Sequence, residues 1–301
     1  MIRVGCCGYP VSVKKYQEVF NLVELNSTFY KYPRTSTVIK WRSSAPEEFE
    51  FTVKAHQDIS HRYRLQVDSV TEPFNRMKEI CHILDANILL IQTPASFRPD
   101  SLDVAERFFR EVSRNGLTLV WETRGDLWER SDARSRLREV LEKFEVPHVT
   151  DPFRTLPVYV SGDVAYFRLH GLGERMYYYQ YTNDELRKLY DIVKGFSSER
   201  VYILFNNLSM FEDALRFINF LRDGEFPSLT GSYGLDSVKA VIRRTRYPSS
   251  KSMLVKRVGW RLFEVEDGVQ MRLSDLLRDI PAKTYENPDE VLREIERVWR
   301  R

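Results

Sequence analysis

The feature that most constrains this chain is a recurring strand-like run whose polar residues gather at its carboxyl end and on one face. In LVELNS (22–27), Glu24 and Asn26 share one side while Val23 and Leu25 share the other. FTVKAH (51–56) places Lys54 with His56, and LLIQ (89–92) ends in Gln92. TLVWETR (118–124) pairs Glu122 with Arg124, and AYFRLH (165–170) pairs Arg168 with His170. Residues two apart on a strand point to the same face. A half-exposed sandwich strand would be polar along its whole outer face. Polarity confined to the carboxyl end is what a parallel barrel shows when it carries a site at that end of its strands.

The order of elements agrees. Strand-like runs at 2–7, 22–27, 49–55, 87–92, 117–123, 146–150, 164–170 and 201–206 alternate with amphipathic, charge-rich stretches. Helical periodicity is clearest over 101–114, 131–144, 183–194 and 211–222. Ser131 and Asn183 stand where N-caps belong, the latter followed by acids in the first turn. Strand–helix alternation implies parallel crossovers, and eight such units imply a (β/α)8 TIM barrel. Residues 56–86 form a long excursion after the third strand, placed to cover the site. Such a barrel takes about 250 residues, so a chain of 301 has room for one barrel and a small addition. The expected division is a barrel over 1–227 and an appendage over 228–301. In the latter, 258–273 reads as a hairpin turning at Asp267-Gly268. Residues 274–280 and 288–299 read as helices, the second opened by Asn287 and Pro288. The appendage is therefore expected to be ββαα.

Composition narrows the class. No apolar run approaches the roughly 18–20 residues of a membrane span, so no membrane partner is expected. The amino-terminal MIRVGCCGYP has no signal-peptide core, and three cysteines cannot all pair. A reduced, cytoplasmic protein is the expectation. Charge is unevenly placed: residues 1–227 carry 31 Lys/Arg against 32 Asp/Glu, and residues 228–301 carry 15 against 11. Lys239, Arg243, Arg244, Arg246, Lys251, Lys256, Arg257 and Arg261 face a single nearby acid, Asp236. Such a segment suits an anionic small molecule or a nucleic acid as partner.

Six ordered motifs then point to a family. VELNSTFYKYP (23–33), FEFTVKAHQDISH (49–61), LLIQTPASF (89–97), WETRG (121–125), YFRLHG (166–171) and FNN (205–207) together resemble the YecE-like family. The resemblance runs from Gly5 to about Leu221 and implies a TIM barrel with its site at the strand carboxyl ends, without implying a reaction. Family members often carry His after the paired Asn, where this chain has Leu208. The tail from about 228 lies outside the resemblance.

The candidate catalytic residues are Glu24, His56, Glu122 and His170, as general bases and acids. The candidate substrate-binding residues are Asn26, Tyr30, Lys54, Gln92, Arg124, Arg168, Gly171, Asn206 and Asn207. Lys54, Arg124 and Arg168 would stabilise an anion, and the loops after strands seven and eight are common phosphate sites in barrels. The expected reaction is hydrolysis or transfer at an anionic, phosphate-bearing substrate. A divalent metal on Glu24, His56, Glu122 and His170 has suitable donors, but the interleaved cations disfavour it. Against these stands a purely structural role, an ion-pair network plugging the barrel. Tyr177, Tyr178, Tyr179 and Tyr181 either stack on a base or sugar or pack the loop to the rim. Two alternatives to an enzyme are a nucleic-acid binder using the basic tail and a ligand-sensing or assembly module. The latter would use the apolar face Val291, Leu292, Ile295, Val298 and Trp299.

Overall fold

The computed structural model describes residues 1–299. Eight parallel strands form a TIM barrel: β1 (Ile2–Cys7), β2 (Leu22–Leu25), β3 (Glu50–Lys54), β4 (Ile88–Gln92), β5 (Thr118–Glu122), β6 (His148–Val149), β7 (Val164–Leu169) and β8 (Arg200–Phe205). Consecutive strands are neighbours, and β8 pairs with β1. The gap between β6 and β7 is bridged from Thr150 to Phe167, with the Arg168 N–H donating to the Thr150 carbonyl at 3.0 Å. Strand β6 is shorter than its apolar run because Pro147 and Pro152 bracket it, and proline cannot donate to a ladder.

The expected helices form as α3 (Leu102–Glu111), α4 (Ser131–Lys143), α5 (Asn183–Val193) and α6 (Met210–Asp223), after α1 (Thr35–Ser43) and α2 (Val67–Leu84). The excursion at 56–86 is mostly ordinary crossover: a π-helical turn, Asp58–Arg62, leads into α2. That helix contains Pro73, which hid its period, yet Val70, Phe74, Met77, Cys81 and Leu84 share its buried face. Two caps differ from expectation. Helix α4 begins at Ser131 itself, with Arg130 at the cap position. At α5 the cap is a reciprocal pair, in which the Thr182 N–H donates to Glu185 Oε2 at 2.8 Å and the Glu185 N–H to Thr182 Oγ1 at 3.2 Å.

The barrel interior is apolar in its middle, where Leu22, Ile88, Leu90, Val120, Val149, Val164, Tyr166, Tyr202 and Leu204 pack together. Gly5 lets β1 and β2 approach: a Cβ there would lie 2.4 Å from the Leu22 carbonyl oxygen. At the amino end Glu50 accepts from Tyr202 OH and faces Arg3 Nε at 3.7 Å.

The chain divides into two compact bodies, Met1–Leu169 with Asp191–Asn206, and His170–Tyr190 with Asn207 onward. All eight barrel strands belong to the first. The second holds α6 and the appendage, whose hairpin β9 (Leu262–Glu266) and β10 (Val269–Arg272) turns at Asp267-Gly268. Helices α9 (Leu273–Leu277) and α10 (Pro288–Trp299) complete the expected ββαα unit, with the Glu290 N–H donating to Asn287 Oδ1 at 3.1 Å. Two more helices, α7 (Gly234–Ile242) and α8 (Lys251–Val258), lie within the basic segment. They bury Val238, Val241, Ile242, Leu254 and Val258 in a core shared with Phe263, Leu276, Tyr285, Val291 and Ile295. The apolar face of α10 is thus taken up within the appendage. Among the described residues no helix is long and apolar enough to cross a membrane, and no cysteine is in a disulfide.

Gly5→Ala is expected to lower unfolding free energy by about 1–3 kcal/mol, the usual range for overpacking, as read by urea denaturation. A variant as stable as the parent would show that β1 and β2 can separate without cost.

Candidate active site

Arg168 organises the carboxyl end of the barrel. Its side chain is 1% exposed and forks onto Glu24, with Nε 3.1 Å from Oε2 and Nη2 2.8 Å from Oε1. Its third nitrogen, Nη1, donates to Glu122 Oε2 at 2.5 Å and to Gln92 Oε1 at 3.3 Å. Glu24 is completely buried and also accepts from Tyr166 OH at 2.9 Å, which lies 2.8 Å from Thr52 Oγ1. Every lone-pair direction of the Glu24 carboxylate that these donors reach is taken. Glu122 lies nearer the rim, where its Oε1 meets Arg124 Nη2 at 2.6 Å.

Lys54 differs from the other cations. Its Nζ donates to the neutral Gln92 amide oxygen at 2.8 Å and sits 4.3 Å from the Phe29 ring centroid. Burial, reinforced by the Arg168 charge and opposed by Glu24 and Glu122, lowers its pKa to about 8. The cluster of Arg168, Arg124, Lys54, Glu24 and Glu122 therefore carries one positive charge beyond its two carboxylates. Cys7 shares this environment, but burial pushes its thiol well above the ordinary value, so it stays protonated.

His56 follows β3 and is pinned. The Asp58 N–H donates to its Nδ1 at 3.1 Å, and Tyr32 stacks on the ring with centroids 3.8 Å apart. Burial lowers its pKa, opposed by Asp58, whose Oδ2 lies 3.2 Å from Nδ1, and by a hydrogen bond with the Tyr30 backbone. From sequence His61 reads as a surface or helix residue, and Thr52 and Tyr166 are not among the candidates. His61 sits edge-on to Phe29, with centroids 4.9 Å apart, and its pKa is lowered first by burial and then by the Lys54 charge. The signal for Tyr166 and Thr52 was their shared face with Arg168 and Lys54, two residues earlier on each strand. Of the rim residues, Tyr30 is 72% exposed while Phe97 and Trp128 turn inward, the Trp128 indole donating to the Phe97 carbonyl at 3.0 Å. Asn26 stands at the start of the short turn Ser27–Tyr30, and the Asn206 N–H donates to the Leu169 carbonyl at 2.8 Å. His148, on β6, is buried with its pKa lowered to about 3, chiefly by burial, and bonds Thr123 Oγ1 at 3.1 Å.

His170, Gly171 and Asn207 belong to the second body. There the Gly171 N–H donates to Tyr181 OH at 2.9 Å. Gly171 has φ +88°, and a Cβ on it would strike Tyr179 Cβ at 2.5 Å, so glycine is required. Asn207 Nδ2 donates to the Tyr179 carbonyl at 2.8 Å and to Asp213 Oδ2 at 2.7 Å. Arg216 Nη1 donates to the Tyr181 carbonyl at 2.7 Å and to Asp213 Oδ1 at 3.3 Å. These residues lash the loops after β7 and β8 together. Among the described residues no three His, Cys, Asp or Glu side chains converge as a metal site.

Known proteins share this architecture. Residues 9–227 match the family described as "Protein of unknown function DUF72", and residues 234–301 match "Family of unknown function (DUF5789)". The UPF0759 protein YecE of Escherichia coli strain K12 is 34% identical over 109 residues, 36% of this chain and 38% of that protein. YunF of Bacillus subtilis is 29% identical over 42% of this chain and 52% of its own length. The aligned part thus spans only about two fifths to half of these relatives. Among solved structures, DUF72 proteins from Enterococcus faecalis (TM-score 0.62, 22% identity, 74% of this chain and 98% of that one) and Thermotoga maritima (0.58, 24%, 74% and 100%) share the fold. So does the protein named SacUVDE, at TM-score 0.52 and 11% identity over 74% of this chain and 99% of that one.

Removing one partner of a buried ion pair strands the other, at a cost of about 3–5 kcal/mol. Glu24→Ala is expected to destabilise the barrel by that amount in denaturant melts. A loss below about 1 kcal/mol would mean that Arg168 finds water or another partner at once.

Proposed function

This chain belongs to the DUF72 family, and on that footing we propose that its barrel mouth is an active site for hydrolysis or transfer at an anionic, phosphate-bearing group. The observation that carries the reading is Lys54, a buried ammonium partnered by a neutral amide in a cluster with one positive charge in excess. A bound phosphoryl group would supply the missing negative charge. A purely structural plug would be cheaper if apolar, since buried ion pairs seldom repay their desolvation.

Roles follow from access. Glu24, saturated by Arg168 and Tyr166, is a positioning residue that holds the guanidinium. Arg168 in turn holds Glu122, which with Arg124 reaches toward the rim. In the proposed step a water or acceptor hydroxyl attacks phosphorus and passes its proton to Glu122. The bond from phosphorus to the leaving oxygen breaks, and that oxygen takes a proton from Lys54, whose pKa of about 8 suits a donor near neutrality. Arg124 and Gln92 hold the phosphoryl oxygens, with Asn26 and Tyr30 along the edge. His56 is held in place by Asp58 and the stacked Tyr32 ring.

The test is release of inorganic phosphate from a panel of phosphate mono- and diesters, together with calorimetric titration of inorganic phosphate. Affinity for the anion is expected to fall as pH rises through about 8, because deprotonation removes the excess charge. Lys54→Met and Glu122→Gln should each cut turnover by about 100-fold or more, typical of a lost acid or base, with folding intact. Turnover unchanged in both, or neither turnover nor phosphate binding across the panel, would refute the assignment.

A further inference from the structure

We infer that the second body carries a binding surface for single-stranded nucleic acid, formed by the loop after β7 and the basic segment ahead of the hairpin. The four tyrosines of the loop do not behave alike. Tyr179 and Tyr181 turn inward, the first donating through OH to Glu185 at 2.5 Å and the second accepting from Gly171. Packing the loop is therefore the work of these two. Tyr177 is 39% exposed and Tyr178 half-buried. Tyr177 is held at φ +71°, a region that side-chain-bearing residues seldom occupy, by hydrogen bonds with the His170 carbonyl and the Leu208 N–H.

Outside the loop core, rings and guanidinium groups alternate. Arg175 lies 3.3 Å from the Tyr178 ring centroid, and Tyr178 meets Trp260 edge-to-face at 6.2 Å and 86°. Arg261 lies 4.9 Å from the Trp260 centroid, and the Trp260 indole N–H donates to the Arg257 carbonyl at 2.9 Å, which fixes the plane of the ring. Burial lowers the pKa of Arg261, with Glu212 opposing and Arg244 reinforcing the shift, so two guanidinium charges share one neighbourhood. Arg244 Nη1 meets Glu212 Oε1 at 3.9 Å. Residues 237–261 contain eight Lys or Arg and no Asp or Glu.

Flat π-faces interleaved with cations match the chemistry of an unpaired strand, whose bases stack on rings and guanidinium planes while its phosphates meet the charges. A duplex hides its base faces and would use only the charges. An apolar protein partner would gain nothing from the guanidinium groups laid on the rings. The surface lies wholly within the second body and is independent of the reaction proposed for the barrel mouth.

The experiment is fluorescence anisotropy of the full chain with a labelled oligothymidylate, the same strand in duplex, and an anionic phosphatidylserine vesicle as competitor, each at several salt concentrations. Binding is expected for the strand and weaker for the duplex. Tyr178→Ala and Trp260→Ala should each lose about 10-fold, as for removal of one stacking platform, with the salt slope nearly unchanged. Arg244→Gln should lower that slope by about 0.7, one phosphate contact on a single strand. Trp260→Phe guards against misfolding: it should keep affinity but lose the tryptophan quenching that stacking produces. Absence of strand binding at low salt, equal duplex affinity, full displacement by vesicles, or affinity indifferent to both ring deletions would overturn the inference.

Discussion

The barrel mouth depends on a single buried guanidinium. Arg168 binds two carboxylates from strands on opposite sides of the sheet order, Glu24 on β2 and Glu122 on β5, and so spans the interior. Burying three charges is costly unless every hydrogen-bonding direction is satisfied, and here the fork geometry, Tyr166 OH and Gln92 provide that satisfaction. The outcome is a rigid polar floor on an apolar middle layer. Because the two carboxylates are already neutralised in this exchange with Arg168 and Arg124, the charge of Lys54 is left facing a neutral amide. On the function proposed above, Lys54 is the charge left for a bound or developing anion.

The second body solves a different problem with similar means. Asp213 is buried so deeply that its pKa rises to about 7 despite the adjacent Arg216, and Asn207 and the Tyr181 N–H complete its shell. Its network fixes the loops that follow the last two strands. The appendage adds a core of its own, in which Val291, Leu292 and Ile295 of α10 are buried. Outside that core, Tyr177 is exposed, and half-buried Tyr178 and Trp260 lie beside Arg175 and Arg261.

Much of this was legible in the sequence because period-two alternation is a local property. Glu24, Lys54, Gln92, Glu122 and Arg168 were readable as one set since each lies at the carboxyl end of a strand on its polar face, and the barrel followed from the eight alternating strand and helix units. What the alternation could not reveal was the division of labour within the set. That Glu24 is saturated while Lys54 is not depends on distances across the barrel, between residues more than 30 positions apart. The roles of His61 and Tyr166 were hidden for the same reason. Boundaries failed where proline intervened: Pro147 and Pro152 cut β6 short, and Pro73 masked α2. In the tail, charge drew attention away from α7 and α8, whose few apolar positions are enough only because the hairpin and α10 cover them.

The charge on Lys54 is tested most simply by a heteronuclear NMR titration of its ammonium, assigned by its loss in Lys54→Met, with and without inorganic phosphate. A midpoint near pH 8 is expected in the free protein, moving upward when phosphate binds, since the anion stabilises the charged ammonium. A midpoint at the ordinary lysine value that phosphate leaves in place would contradict this expectation, and would return the cluster to the role of a structural plug.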